Sequence, residues 1–160
     1  MLYFKLLGME INLNCDLGEK SKHHSNENDP ELLKIVNSAN VACGYHAGDE
    51  QTMQEVVKIS KENNVSIGAH PSFKDPENFG RKRMDLSASE ITKLVTDQYE
   101  ILQNIASLQG EKVSHIKPHG ALNNMACEDL ELATTLAKTI YHIDKDLSLI
   151  HISEPTRQSS

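Results

Sequence analysis

Four short segments of the 160-residue chain concentrate its chemically versatile side chains. They are Asn14-Cys-Asp16-Leu-Gly-Glu19, Cys43-Gly-Tyr-His46-Ala-Gly-Asp49, Gly68-Ala-His70-Pro-Ser72 and Lys117-Pro-His119-Gly-Ala-Leu-Asn123-Asn124. Carboxylates and imidazoles in one place suit three chemistries. One is metal binding, since His with carboxylate favours zinc or manganese, and Asp16, His46, His70 and His119 form the candidate ligand set. Another is general acid–base work, for which imidazole titrates in the right range. The third is phosphate handling by Lys117, Arg81, Arg83 and the helix N-terminus near Asp49. Neither G-x-x-x-x-G-K-[S/T] nor G-x-G-x-x-G occurs, so a standard nucleotide loop is absent. Neither H-E-x-x-H, a Ser elbow nor a Cys–His nucleophile motif occurs.

The elements that must position these residues follow from local patterns. Residues 10–14 alternate like a strand. Pro30, preceded by Asp29 as N-cap, opens a helix over 30–37. Residues 39–43, 65–69, 113–117 and 147–150 are short apolar runs that read as strands. Asp49 caps a helix over 50–63 with Met53, Val56, Val57 and Ser60 on one face. A polar loop covers 70–86. Ser87-Ala-Ser-Glu90 matches a capping box, and the helix it opens carries Ile91, Leu94, Val95, Leu102, Ile105 and Ala106 on one stripe up to Gly110. Another helix spans 128–142. Strand and helix alternate throughout, which predicts an α/β fold with a parallel sheet, either doubly wound or closed as a barrel. All four reactive segments then fall at carboxyl ends of strands, where such folds bind ligands.

Each residue also has a plainer reading. Asp49 would be needed as a cap alone. Gly18, Gly44, Gly48 and Gly120 serve tight turns. His23 and His24 sit in a polar loop, while His115 lies within a strand and His142 ends a helix, so all four read as structural or solvated. Cys15 and Cys43 read as small buried residues. Three strand-end histidines with neighbouring carboxylates are less easily explained one at a time.

Composition narrows the classes. Sixteen Lys and Arg against 23 Asp and Glu give a net charge of −7, and the longest basic run is Arg81-Lys82-Arg83. That disfavours nucleic acid as partner. No run approaches a membrane span. Three widely spaced cysteines without C-x-x-C argue against a disulfide framework and for a reducing, cytoplasmic setting. The apolar start, residues 1–8, is broken by Lys5 and reads as an N-terminal extension before Met9 rather than a signal peptide.

Five ordered motifs carry a resemblance. Asn12-Leu-Asn-Cys-Asp-Leu-Gly-Glu19, Ser38-Ala-Asn-Val-Ala-Cys-Gly-Tyr-His-Ala-Gly-Asp49, Ile67-Gly-Ala-His-Pro-Ser-Phe73, Asn78-Phe-Gly-Arg81 and Lys117-Pro-His-Gly-Ala-Leu122 resemble the LamB/YcsF family over residues 9–150. The resemblance implies a seven-stranded β/α barrel of the glycoside hydrolase/deacetylase type, cut here after five strands. It implies ATP-dependent opening of 5-oxoproline to L-glutamate, with Mg²⁺ and two partner subunits of a 5-oxoprolinase. Its polar strand-end positions map onto Asp16, Glu19, His46, Asp49, His70, Lys117 and His119. Asn14, Arg81 and Asn123 join Lys117 as candidates for binding substrate or phosphate, with Asn123 standing where the family usually has Tyr. Family members run to roughly 250 residues, the size of a single barrel. Residues 151–160 do not resemble the family's continuation and are expected to be a foreign tail. Two alternatives stay open: a metal-dependent deacetylase or hydrolase that needs no ATP, and a substrate-binding subunit without catalysis.

Overall fold

The computed structural model of the chain describes residues 5–6, 9–22 and 24–151; the expected tail beyond residue 151, His23 and most of residues 1–8 lie outside the described residues. Lys5–Leu6 (β1) and Met9–Glu10 (β2) pair antiparallel. Then come Asn14–Leu17 (β3), Asp29–Leu32 (α1), Ser38–Ala42 (β4), Glu50–Glu62 (α2) and Ser66–His70 (β5). Ala88–Leu108 (α3), Val113–Ile116 (β6), Gly120–Glu128 (α4), Leu130–Ile143 (α5) and Ser148–Leu149 (β7) complete the order. Strands β3 to β7 pair in parallel and in sequence order. A sheet that winds in one direction has no switch point, so this is the arc of a β/α barrel and not a doubly wound sheet.

Side chains alternate across a strand, and here the alternation separates core from site. Leu17, Ala39, Val41, Ile67, Ala69 and Ile116 join Val56, Val57, Ile91, Val95 and Leu102 of the helices in one buried core. Full burial of each larger side chain contributes about 1.5–3 kcal/mol. The opposite face is polar. Register aligns Asp16 with Asn40, Asn40 with Gly68, and Gly68 with His115 across four strands.

Local signals set the helix starts. The Asp49 side chain accepts from the Thr52 N–H at 2.7 Å. Ser87 and Glu90 form the expected capping box. Two expectations are corrected. The first sheet strand is 14–17 rather than 10–14, and Ile11 and Leu13 are exposed. Its inward face is polar, so an apolar alternation pointed to the wrong segment. The helix expected over 30–37 stops at Leu32, and Asp29 turns its carboxylate to the Gly18 N–H at 2.7 Å. The helix expected over 128–142 is α5, capped by Asp129, and a helix not expected from the sequence, α4, precedes it and ends at Glu128. Helix α4 was hidden because it begins at Gly120, inside a segment rich in turn residues.

One contact in the polar face is sterically demanding. A Cβ on Gly68 would lie 2.0 Å from Nε2 of His115, whose ring lies across the gap to reach Asn40. Gly68→Ala should therefore destabilise the chain by about 1–3 kcal/mol, as overpacking does. In Gly68→Ala/His115→Ala part of that loss should return, because the clashing ring is gone. Chemical denaturation of both single variants and the double variant checks this; additive losses would refute the clash.

Candidate active site

At the sheet's carboxyl end the strands deliver their polar groups to one point. Lys117, which follows β6, donates to both carboxylate oxygens of Asp16 in β3, at 2.6 and 2.8 Å. Asn40 Nδ2 donates to Asp16 Oδ1 at 2.9 Å and to Asn14 Oδ1 at 2.8 Å. With its amide nitrogen committed to two acceptors, Asn40 turns Oδ1 to His115, which donates from Nε2 at 3.0 Å. Asp16 is thus fixed by a buried line of side chains, Asn40 and His115, that reading the sequence did not assign to the site. The signal was available: a buried strand carrying Asn at an inward position needs partners for it.

Beside this pair lie three buried histidines. The rings of His46 and His119 stack with centroids 3.9 Å apart, and His70 meets both edge-on. Their outer nitrogens are all occupied. His70 Nδ1 donates to the Lys117 carbonyl, and His119 Nε2 donates to the Phe79 carbonyl at 2.9 Å. Ser72 gives its hydroxyl proton to the Phe73 carbonyl, so its Oγ accepts from His46 Nδ1 at 2.9 Å. The inner nitrogens face one another and Glu19. His119 Nδ1 is 3.0 Å from His70 Nε2, and Glu19 Oε1 is 3.1 Å from His46 Nε2. Glu19, His46, His70 and His119 therefore present four ligand atoms, all within 4.8 Å of one another, a grouping able to hold a divalent metal ion. The expected set had Asp16 in place of Glu19. Asp16 Oδ2 does lie 3.4 Å from His70 Nε2, but both its oxygens are committed to Lys117.

Phe79 covers this group. Its ring stands edge-on to His46 and His119, and His24 packs on its outer face with centroids 4.3 Å apart. His24 is exposed, as expected of a solvated loop residue, and packs on the cover from outside. The next residue, Gly80, is obligatory: a Cβ there would lie 2.9 Å from the His46 Cβ.

The remaining candidates fall in different places. A cavity of about 170 Å³ is lined by Asp16, His70, Lys117, Pro118, His119, Gly120, Asn123 and Asn124. Asn123 thus stands at the cavity, and Asn14 lies beneath it through Asn40. Asp49 is exposed and engaged as the α2 cap, so its plainer reading suffices. Arg81 lies over the Phe79 ring at 5.3 Å, whereas Arg83 pairs with Glu128 on the surface at 2.6 Å. Burial pushes the Cys43 thiol up to about 12, and burial with the Asp16 charge raises Cys15, so neither is a ready nucleophile at neutral pH.

The electrostatics match the geometry. Burial pushes the Asp16 carboxyl up, but His70 and Lys117 outweigh it and hold the group well below the usual range. Burial likewise raises Glu19, and the three histidines bring it below its ordinary value. Burial lowers His46, and it lowers His119 to about 3 and His115 to about 4. An unfolded histidine titrates near 6.5. As pH falls below that, the unfolded chain takes up a proton that folded His115 refuses, so stability drops between about pH 6.5 and 4. Each such histidine contributes a slope of at most about 1.4 kcal/mol per pH unit. Denaturant unfolding at pH 7.5, 6 and 5 should show the decline, and His115→Gln should make it shallower. Equal slopes in the two proteins would contradict the assignment.

Three comparisons bear on identity. The LamB/YcsF family model matches residues 11–159. The chain is 43% identical over 145 residues to proteins from Staphylococcus carnosus (strain TM300) and Staphylococcus aureus (strain MW2), each named as the A-type subunit of 5-oxoprolinase. Those alignments cover 91% of this chain and 58% of each relative, so the chain spans well under two thirds of their length. The crystal structure of a lactam utilization protein from Thermus thermophilus superposes with a TM-score of 0.85 at 38% identity, covering 90% of this chain and 58% of that one. The five motifs, the one-way parallel sheet and these matches agree: the chain belongs to the LamB/YcsF family.

Proposed function

We propose that this chain provides the strand-end site of the A-type subunit of a 5-oxoprolinase, which opens 5-oxoproline to L-glutamate at the expense of ATP, together with two partner subunits. The observation that carries the reading is the cavity over Lys117 and Asp16. It is a partly open pocket of about 170 Å³. It suits one small ring, and a nucleoside triphosphate would extend well beyond it. The names of the relatives, which point to 5-oxoprolinase and to lactam utilization, agree with a small cyclic amide.

The chain's own groups then have roles. A lactam is a stable amide, and phosphorylation of its oxygen by ATP makes that oxygen a leaving group. Lys117, fixed by Asp16, offers an ammonium to the substrate carboxylate or the phosphorylated oxygen. Asn123 and Asn124 supply amide hydrogen bonds along the cavity wall. His70 and His119 border both the cavity and Glu19, and their inner nitrogens are placed to act on the attacking water, directly or through an ion they hold. Arg81, at the Phe79 cover, is the arginine retained for phosphate. Mg²⁺ accompanies the ATP phosphates, since Asp16 is occupied by Lys117.

The test uses the full product of the gene with its two partner subunits. Addition of ATP and 5-oxoproline should release ADP and glutamate together, and ADP release should depend on 5-oxoproline. Lys117→Ala and His119→Ala should each lower kcat/KM by about 10²–10³-fold, the usual cost of losing a charge-stabilising or proton-transferring group. Wild-type turnover in both variants, or no ADP release from a verified complex, would overturn the proposal.

A further inference from the structure

The geometry points to a tetrahedral zinc-class site, held by Glu19, His46, His70 and His119, with the tautomers of His70 and His119 locked before the ion arrives. The carbonyl oxygens of Lys117 and Phe79 can only accept, so Nδ1 of His70 and Nε2 of His119 carry hydrogens. Ser72 Oγ, having donated to Phe73, receives the Nδ1 hydrogen of His46. In neutral rings the other nitrogen of each histidine is then a bare lone pair. In that tautomer of His46, three lone pairs and one carboxylate oxygen converge; in the other, His46 Nε2 donates to Glu19 and gives up that hydrogen when an ion binds. Two ring nitrogens 3.0 Å apart repel unless a positive centre lies between them. Metal-bound histidines show this same outer arrangement, with the second ring nitrogen donating to a carbonyl or hydroxyl-type acceptor.

The size of the group also fits. Donors about 2.0–2.1 Å from zinc in a tetrahedron lie about 3.3 Å from one another. Four of the six edges here are 3.0 Å for His70–His119, 3.1 Å for His46–Glu19, 3.4 Å for His119–Glu19 and 3.7 Å for His70–Glu19, and the two from His46 to the other rings lie within 4.8 Å. Three imidazoles with one carboxylate also exclude magnesium and calcium, which prefer oxygen shells. The backbone is preorganised as well. Phe79 has φ +55°, a left-handed conformation costly for a bulky side chain, and its carbonyl is thereby aimed at His119. His70 and His119 also border the 170 Å³ cavity, so a bound ion would sit in its wall. The site deepens the active-site reading without depending on lactam chemistry, because it is defined by binding alone.

Cobalt(II) serves as the probe, since tetrahedral cobalt absorbs strongly in the visible and octahedral cobalt weakly. Titration of the metal-stripped protein, without ATP or substrate, should give one equivalent with the tetrahedral spectrum, displaced by zinc. Glu19→Gln and His119→Gln should each weaken binding at least 10-fold, with circular dichroism confirming the fold. Glu19→Gln is nearly isosteric and keeps the test decisive where a histidine variant fails to fold. Cys127 lies 3.8 Å from His151 Nε2 and is a second soft pair. Cys127→Ser/His151→Gln should leave stoichiometry and spectrum unchanged. Absence of binding, an octahedral spectrum, or loss of binding only in the Cys127→Ser/His151→Gln variant would overturn the proposal. Metal binding without 5-oxoproline turnover would leave this inference standing and overturn the oxoprolinase reading alone.

Discussion

The Lys117 ammonium lies against both oxygens of Asp16, almost out of reach of solvent, and the strand ends are arranged around that pair. A buried charge is costly unless it is paired and its remaining valences are filled. The structure meets that requirement in sequence. Asn40 supplies the further hydrogen bond to Asp16, His115 fixes the orientation of Asn40, and Gly68 leaves the space that His115 fills. Among the described residues, Ser60 Oγ is the one buried side-chain oxygen or nitrogen without a partner. The polar interior is therefore a connected network, in which removing one member strands another.

The same accounting shapes the histidine cluster. Each ring is held from outside by the backbone or Ser72 and turns its other nitrogen inward; in neutral His70 and His119, whose outer nitrogens meet carbonyls, the inner one is a lone pair. Burial depresses the basicity of His46 and His119, which keeps those lone pairs available near neutral pH. Phe79 and Gly80 close the group from above. Phe79 accepts a strained backbone and Gly80 a contact that no Cβ would permit. Strain of this kind persists only where surrounding structure over-determines it, which is a feature of functional sites.

Behind the site the sheet is conventional. Apolar residues on its outer face pack under α2, α3 and α5, and the capping interactions of Asp49, Ser87 and Asp129 fix where those helices begin. This rigid layer sets the strand register, and the register aligns Asp16, Asn40, Gly68 and His115. An error of one residue in pairing would move the whole polar row to the helix side. The stability of the core and the geometry of the site are thus one constraint.

The amino-acid sequence alone determined the alternation of strands and helices, the capping box at Ser87, and the placement of reactive residues after the strands. These are local properties, carried by periodicity and by turn chemistry within a few residues. It also carried the family motifs. It did not determine that Glu19 rather than Asp16 stands with His46, His70 and His119. Nor did it show the line from His115 through Asn40, or the cover formed by Phe79 and His24. Those outcomes depend on contacts between residues 24 to 101 positions apart in the chain, such as Asn40 with Asp16 and Lys117 with Asp16. Only the register of the folded sheet brings such residues within hydrogen-bond distance. The tautomer of each histidine is likewise a tertiary outcome, because it is set by which distant carbonyl or hydroxyl the outer nitrogen meets.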